Sequence, residues 1–516
     1  MKASDSPNPW LIAVVVSVAT FMEVLDTTIA NVALPYIAGG MAVSPDEAAW
    51  VVTTYLISNA VILTASSHLA KALGRKSFFL ICLALFTVSS ILCGFAWDIR
   101  SLLFFRILQG LGGGGMVPVS QSILADAFPP EKRGQGFALF GIAVVVAPVV
   151  GPTLGGWLSD NYSWHWCFLI NGPIGLASIA MVAVVLNEPT NKPSAPRFDF
   201  VGFFLVSAFL GSLEVVLDRG QRDDWFGSNF IIAFACVTAA AFALMIPWEI
   251  TRKNPVVDLR MIATRQFGAC FLVMMAVGAV LIATTQILPQ LLQLSFGYSA
   301  MLAGLVLSPG GLVTMAMMIV VGRLSSMTQP KYLIMTGAAV VAASTYYLTQ
   351  LYSDVGFWYF ASARIFIGVG LPLIFIPVTT ASYHGLPPSK TDQASALINV
   401  ARNVGGSIGV SLAQNILARR EQFHLSRLAE HAIPSNIEFQ EALRRATEYF
   451  SSLGGTASEA RRLALAWVGR QIQTQASILA YIDVFYALTV IAAIIIPLAW
   501  LLRRVPLGAS HPAPTQ

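Results

Sequence analysis

Fourteen stretches of this chain are apolar over the length a helix needs to cross a bilayer, and most of the segments joining them are short. About 20 apolar residues span the hydrocarbon core. The stretches are 10–34, 48–70, 78–97, 101–125, 135–158, 165–187, 200–217, 229–250, 267–293, 299–323, 331–351, 356–381, 393–418 and 478–502. Within lipid every backbone N–H and C=O must be bonded inside the chain, so runs of this length become helices. Charge agrees: 11% of the 516 residues are charged, against about 25% in soluble domains. The fold class expected is an all-α polytopic membrane protein with 14 transmembrane helices.

An even number of crossings puts both termini on one side, and lysine and arginine decide which. With the termini in the cytoplasm, Lys71, Arg75, Lys76, Lys132, Arg133, Arg252, Lys253, Arg260 and Arg265 all fall in cytoplasmic segments. Short outer loops hold only Arg100, Arg219 and Arg222. That bias orients the chain with both termini cytoplasmic. The net charge of +5 is spread over loops and gives no basis for nucleic-acid binding. Cys82, Cys93, Cys167, Cys236 and Cys270 all lie in apolar runs, an odd set that fits neither a disulfide framework nor a metal site.

The chain repeats itself. Arg106, Gly110 and Gly112 in the fourth stretch recur as Arg364, Gly368 and Gly370 in the twelfth, an offset of 258. At the same offset Pro129-Pro130 meets Pro387-Pro388, Lys132 meets Lys390, and Gln135 meets Gln393. The organisation expected is six spans, two inserted spans and six more: a first bundle over 1–190, the insert over 191–262, and a second bundle over 263–516 that includes a long outer loop at 419–477. Repeated halves around a midplane site are the common build of secondary transporters.

The first stretch carries two carboxylates, Glu23 and Asp26, three residues apart and so on nearly one helix face. A charge at that depth costs about 3 kcal/mol or more, and such residues normally face a cavity or partner and have a function. The repeat fails here, because Asp26 shifted by 258 falls on Thr284. Proton chemistry is therefore expected mainly in the first half. No nucleotide-binding motif occurs, and the six histidines share no ligand spacing. Energy is expected from an ion gradient, with no cofactor, no metal and no enzymatic step.

Several motifs together resemble the major facilitator superfamily, and within it the fourteen-span drug:proton antiporters, most closely the EmrB-type multidrug pumps. They are Leu25-Asp26 through Asn31 to Pro35 in the first span, Arg106 through Gln109, Gly110 and Gly112 in the fourth, and Ala147-Pro148 through Gly151-Pro152 to Gly155-Gly156 in the fifth. Trp164 to Gly175 in the sixth is similar as well. The loop after the second span keeps Gly74-Arg75-Lys76 but has Lys71 where the superfamily has an acid, so another cytoplasmic contact would have to hold the outward-open state. The resemblance implies a major facilitator fold, export by alternating access, and a role for Arg106 in coupling proton movement.

For each site two readings stand. Asp26 is either the proton carrier, with Arg106 as its partner, or half of a static pair that fixes packing. Glu23 is a second proton or substrate site, or a hydrated acid near the interface. Glu23, Asn31, Gln109 and Arg364 are the polar side chains expected to meet substrate, although Arg364 also fits a helix-end arginine. Gly74, Arg75, Lys76, Gln109, Gly110, Pro148, Gly151, Pro152, Gly155 and Gly156 are expected to shape the gate and the rocking interface, since small residues let helices approach closely. Glu214 either adds a carboxylate to the substrate path or, close to Asp218 and Arg219, is a solvated helix end, the reading its neighbours favour.

Leu443, Ala446 and Phe450 lie on one helical face in the long loop, Leu453 to Gly455 ends that helix, and a second is expected from Ser458 into the last span. The partners expected are hydrophobic small molecules, protons and the lipid bilayer. The resemblance adds a periplasmic membrane-fusion adaptor with an outer-membrane channel, and location in a bacterial inner membrane. The rival on the same fold is a symporter for a polar nutrient; the Gly151-Pro152 motif and the few polar residues of the second half speak against it.

Overall fold

The computed structural model describes residues 8–504 apart from 130, 188–197, 253–254, 353 and 455. Pro130, Lys253, Gly455 and the expected boundary at 190/191 lie outside the described residues. The first six spans are α1 (Pro9–Gly40), α2 (Pro45–Leu73), α3 (Arg75–Gly94), a fourth broken into α4 (Ile99–Gly113) and α5 (Met116–Ala127), α6 (Arg133–Asn161), and a sixth broken into α7 (Trp166–Leu169) and α8 (Asn171–Val185). The insert is α9 (Phe200–Arg219) and α10 (Asn229–Thr251). A short α11 (Leu259–Ile262) leads into α12 (Arg265–Leu294), α13 (Ala300–Leu324), α14 (Pro330–Tyr347), α15 (Phe357–Ser382), α16 (Thr391–Ala429), α17 (Ile437–Ser452) and α18 (Ala457–Trp500). No strand occurs among the described residues.

Thirteen of these helical spans are long and apolar enough to cross a membrane. The fourteenth, α16, carries Asn399, Arg402, Asn403, Ser407, Ser411, Gln414 and Asn415 and is less apolar for that reason. Its neighbours explain how it can be: α16 runs inside the bundle, packed on α2, α5, α9, α12 and α18. The chain is thus a 6 + 2 + 6 arrangement of fourteen spans.

The repeated sequence makes the same packing twice. α1 lies along α6 as α12 lies along α16, and the fourth span sits between α2 and α3 as α15 sits between α13 and α14. Glycine makes these crossings close. A Cβ on Gly112 would stand 2.5 Å from the Phe86 backbone nitrogen, and one on Gly370 would stand 2.8 Å from the Gly337 carbonyl. In the fifth span Gly151 and Gly155 lie against Thr28 and Ile29 of α1. They therefore shape packing inside the first half. The contact between halves is made by other small residues: Gly134 against Gly322, Gly141 against Met318 and Gly304 against Thr153, all along the α6–α13 seam.

The opposite side of the molecule is built differently. There α2 and α16 meet less fully, and the inserted α9 packs against both. Glu214 of α9 accepts a hydrogen bond from Ser407 of α16 at 2.9 Å, and Asp218 accepts one from Thr53 of α2. Glu214 is therefore not a solvated helix end. It is half-buried in the joint between the insert and α16, because α9 lies within the bundle wall and not beside it.

Most of the described residues between 419 and 477 are helical. With 39 and 44 residues, α16 and α18 are about 58 and 66 Å long at 1.5 Å per residue, far beyond a core about 30 Å thick. Their projecting ends are tied by Arg420 and His424 to Asp483, at 2.5 and 2.7 Å. α17 folds back on α18 with Leu443 and Ala446 buried against Ala464 and with Phe450 at the edge. α18 starts with a Thr456–Glu459 capping box.

Candidate functional site

Asp26 lies fully buried in α1 and is held by three side chains from two other spans. Arg106 of α4 donates from Nη1 to Asp26 Oδ2 at 2.7 Å. Gln109, one turn further along α4, donates to Oδ1 at 2.9 Å, and Asn171 at the start of α8 donates to the same oxygen at 2.7 Å. Behind this first ring, Arg106 donates to Gln109 Oε1 at 2.8 Å and, through Nε, to the Val51 carbonyl at 2.9 Å. Asn171 also reaches Ser90 at 3.0 Å. The guanidinium is sandwiched by rings, 4.3 Å from the Tyr55 centroid and 5.5 Å from that of Phe168. Nη2 of Arg106 has no hydrogen-bond partner among the described residues. A buried charge pair needs this many donors and acceptors to offset the loss of water.

The local sequence explains the placement. Arg106, Gln109 and Gly110 fall within one turn of α4, which places the guanidinium and the amide together. Gly110 lets α4 come so close to α2 that a Cβ there would stand 2.5 Å from the Tyr55 carbonyl. The run Gly112 to Gly115 ends α4, and the span restarts as α5.

Glu23 lies one turn away on the same helix, also buried. Oε1 accepts from Asn59 at 3.1 Å, Asn59 touches the Tyr55 hydroxyl at 3.5 Å, and Oε2 has no partner among the described residues. Arg402 of α16 has its Nη1 buried without a partner among the described residues. A polar line therefore joins the two acids: Asp26, Arg106, the Tyr55 ring, Asn59, Glu23. Glu23, Thr27 and Asn31 form one stripe along α1, and exposure rises along it from buried through half-buried to exposed. Asn31 is in the open part and bonds only to the Thr27 carbonyl, at 3.1 Å.

At the end of the molecule holding the α2–α3 loop, Gly74 takes φ +88°, a conformation that suits glycine. Arg75 then turns inward and pairs with Asp126 of α5 and, at 2.8 Å, with Asp392 at the start of α16. The latter joins the two halves. Lys76 bonds the Ala183 carbonyl at 2.6 Å. Nearby, Asn399 donates to Gln121 at 2.7 Å and Tyr383 stacks on Phe137 at 5.7 Å, both across the halves. Pro148 and Pro152 are half-buried in α6, and a methyl on Gly156 would have only Val32 near it, at 4.0 Å. Arg364, the repeat of Arg106, is buried on α15 and reaches Thr284 at 3.4 Å.

The sequence pointed to Asp26, Arg106, Gln109 and Glu23, and these four come together. Arg364 lies in the other half, and Asn31 lies further along the α1 stripe. Sequence reasoning gave no role to Asn171, Asn59, Tyr55, Ser90 or Asp392. A signal was available for two of them, since Asn59 and Asn171 are amides inside apolar runs, where an unpaired polar group is costly.

The Major Facilitator Superfamily profile matches residues 16–410. The multidrug export protein EmrB of Escherichia coli K12 is 35% identical over 501 residues, 97% of this chain and 96% of that protein. EmrB of Haemophilus influenzae is 34% identical over 502 residues, 97% of each. Among solved structures, the human organic anion transporter MFSD10 (TETRAN) aligns with a TM-score of 0.57 at 12% identity, over 94% of this chain and 100% of that one. At that identity the likeness speaks for the fold alone. The chain belongs to the major facilitator superfamily, and within it to the family of the EmrB multidrug export proteins.

Proposed function

We propose that this protein exports hydrophobic drugs or other toxic compounds across a bacterial inner membrane, by alternating access and in exchange for protons. The single observation that carries the coupling is the buried Asp26 cage, in which Arg106, Gln109 and Asn171 all point at one carboxylate. A carboxyl in a dry pocket favours its proton, and a guanidinium beside it favours the charged form. Parting α1 from α4 would exchange the second situation for the first and load a proton; bringing them together would release it. The multidrug export proteins at 34–35% identity support export over nutrient symport.

Glu23, the buried end of the α1 stripe, is joined to this cage through Asn59 and Tyr55 and serves as its proton relay. The excess of positive charge supports a cytoplasmic Arg75 end, with both termini on that side, so the halves are latched inside and the α1 stripe faces outward. The Arg75–Asp392 pair takes the part that the missing acid at Lys71 would have played. Residues 419–477, projecting outward, are the docking surface for a periplasmic adaptor that leads to an outer-membrane channel. The reading is tested with inverted membrane vesicles. An imposed inward-acid gradient drives ethidium accumulation by the wild type, and collapsing that gradient releases the dye. Accumulation that ignores the gradient would contradict proton exchange.

A further inference from the structure

The duplication leaves one arginine without its acid. In the first half Arg106 has three partners, the Asp26 carboxylate, the Gln109 amide and the Val51 carbonyl, at 2.7 to 2.9 Å. In the second half the same offset replaces Asp26 by Thr284 and Gln109 by Ile367. Among the described residues Arg364 keeps a single long hydrogen bond, 3.4 Å to the Thr284 hydroxyl, and its Nε is buried with no partner. It is 8% exposed, so the cation is more than nine-tenths buried. Among the described residues no carboxylate pairs with it. Arginine does not shed its proton in proteins, so the charge is fixed. A buried charge with no counter-charge is among the costliest features a membrane protein can hold.

The surroundings say what could compensate it. Thr284 stands where the first half has a carboxylate, and it brings a hydroxyl in place of the acid. The same two helices carry one buried apolar cluster, with Ala283, Ile287 and Leu288 on α12 and Phe360 and Ala363 on α15. An anion suited to this position carries one planar charged group, matched to the guanidinium fork, on an apolar body. We infer that Arg364 and Thr284 form a binding site for the carboxylate of an amphipathic anion, which occupies in the second half the place that Asp26 fills in the first. The inference rests on the exporter reading and deepens it by naming the residues that would select an anionic substrate.

The test uses the full-length protein in nanodiscs at pH 8 and two fluorescent probes, 11-(dansylamino)undecanoic acid and its neutral amide. Wild type binds the acid at least tenfold more tightly than the amide. Arg364→Gln removes that preference and leaves amide affinity within twofold. Thr284→Asp, which supplies the missing acid from the protein itself, removes it as well, and it keeps the arginine paired should Arg364→Gln fold poorly. Equal binding of acid and amide by the wild type overturns the inference, as does an acid preference that survives both substitutions. Chloride is the other source of negative charge. If chloride raises the thermal stability of the wild type but not of Arg364→Gln, while acid and amide bind alike, an inorganic ion holds the site and the proposal fails. Gradient-driven ethidium export by the wild type is measured in parallel. Export without acid preference removes only this inference; an Arg364-dependent acid preference without export removes the exporter reading instead.

Discussion

Arg106 and Asp26 are worth little apart. Removing the guanidinium leaves a buried carboxylate with amide donors only, and breaking a buried pair from one side costs about 3–5 kcal/mol. Arg106→Gln should therefore lower the thermal stability of the purified protein clearly, and Asp26→Asn added to it should restore at least half of the loss. Additive losses in the double variant would mean that the two side chains do not depend on each other. Both charges were legible in the sequence, because charged residues in apolar runs are few. Asn171 and Tyr55 were not, since neutral side chains on separate spans have no spacing that betrays a shared partner. Arg364 read most simply as a helix-end arginine. Only its buried, partnerless Nε sets that reading aside.

Helix contacts decide which glycines matter. A methyl on Gly112 would meet the α3 backbone at 2.5 Å, whereas one on Gly156 would have Val32 at 4.0 Å as its nearest neighbour. Gly112→Ala should cost about 1–3 kcal/mol, the usual range for overpacking, and Gly156→Ala should stay within about 0.5 kcal/mol, as away from special sites. Comparable stability of the two variants in thermal unfolding would contradict this packing. Most helices were legible from apolar length, and α17 from the spacing of Leu443, Ala446 and Phe450. Glu214 was misread for a reason that local sequence cannot supply. Its neighbours Asp218 and Arg219 look like a helix end, and nothing nearby reveals that α9 fills the joint between α2 and α16.

For the whole molecule, the balance between its two faces rests on few polar contacts. Asp392→Arg sets like charges together at the latch with Arg75. With a single cysteine introduced at Asn399 in a cysteine-free background, it should raise labelling by an impermeant maleimide from the cytoplasmic side at least fivefold; Asp392→Glu should not. Unchanged labelling in both would mean that the pair does not hold that end closed. At the outer end, replacing 430–476 by a short Gly–Ser linker should leave ethidium transport in vesicles within twofold of wild type and abolish co-purification of the adaptor. Retained adaptor binding would place its docking surface elsewhere. The two halves were legible from the 258-residue offset. Their latch was not, because Arg75 and Asp392 lie 317 residues apart.

The central claim is that Asp26 carries the exchanged proton, and it is tested most directly by separating substrate movement from proton movement in proteoliposomes containing wild type or Asp26→Asn. Ethidium counterflow, which needs substrate exchange but no net proton transfer, should persist in Asp26→Asn within about threefold of wild type. Accumulation driven by a pH gradient should fall at least tenfold. Gradient-driven accumulation at the wild-type rate by Asp26→Asn would show that the caged carboxylate is structural and that the proton travels by another group.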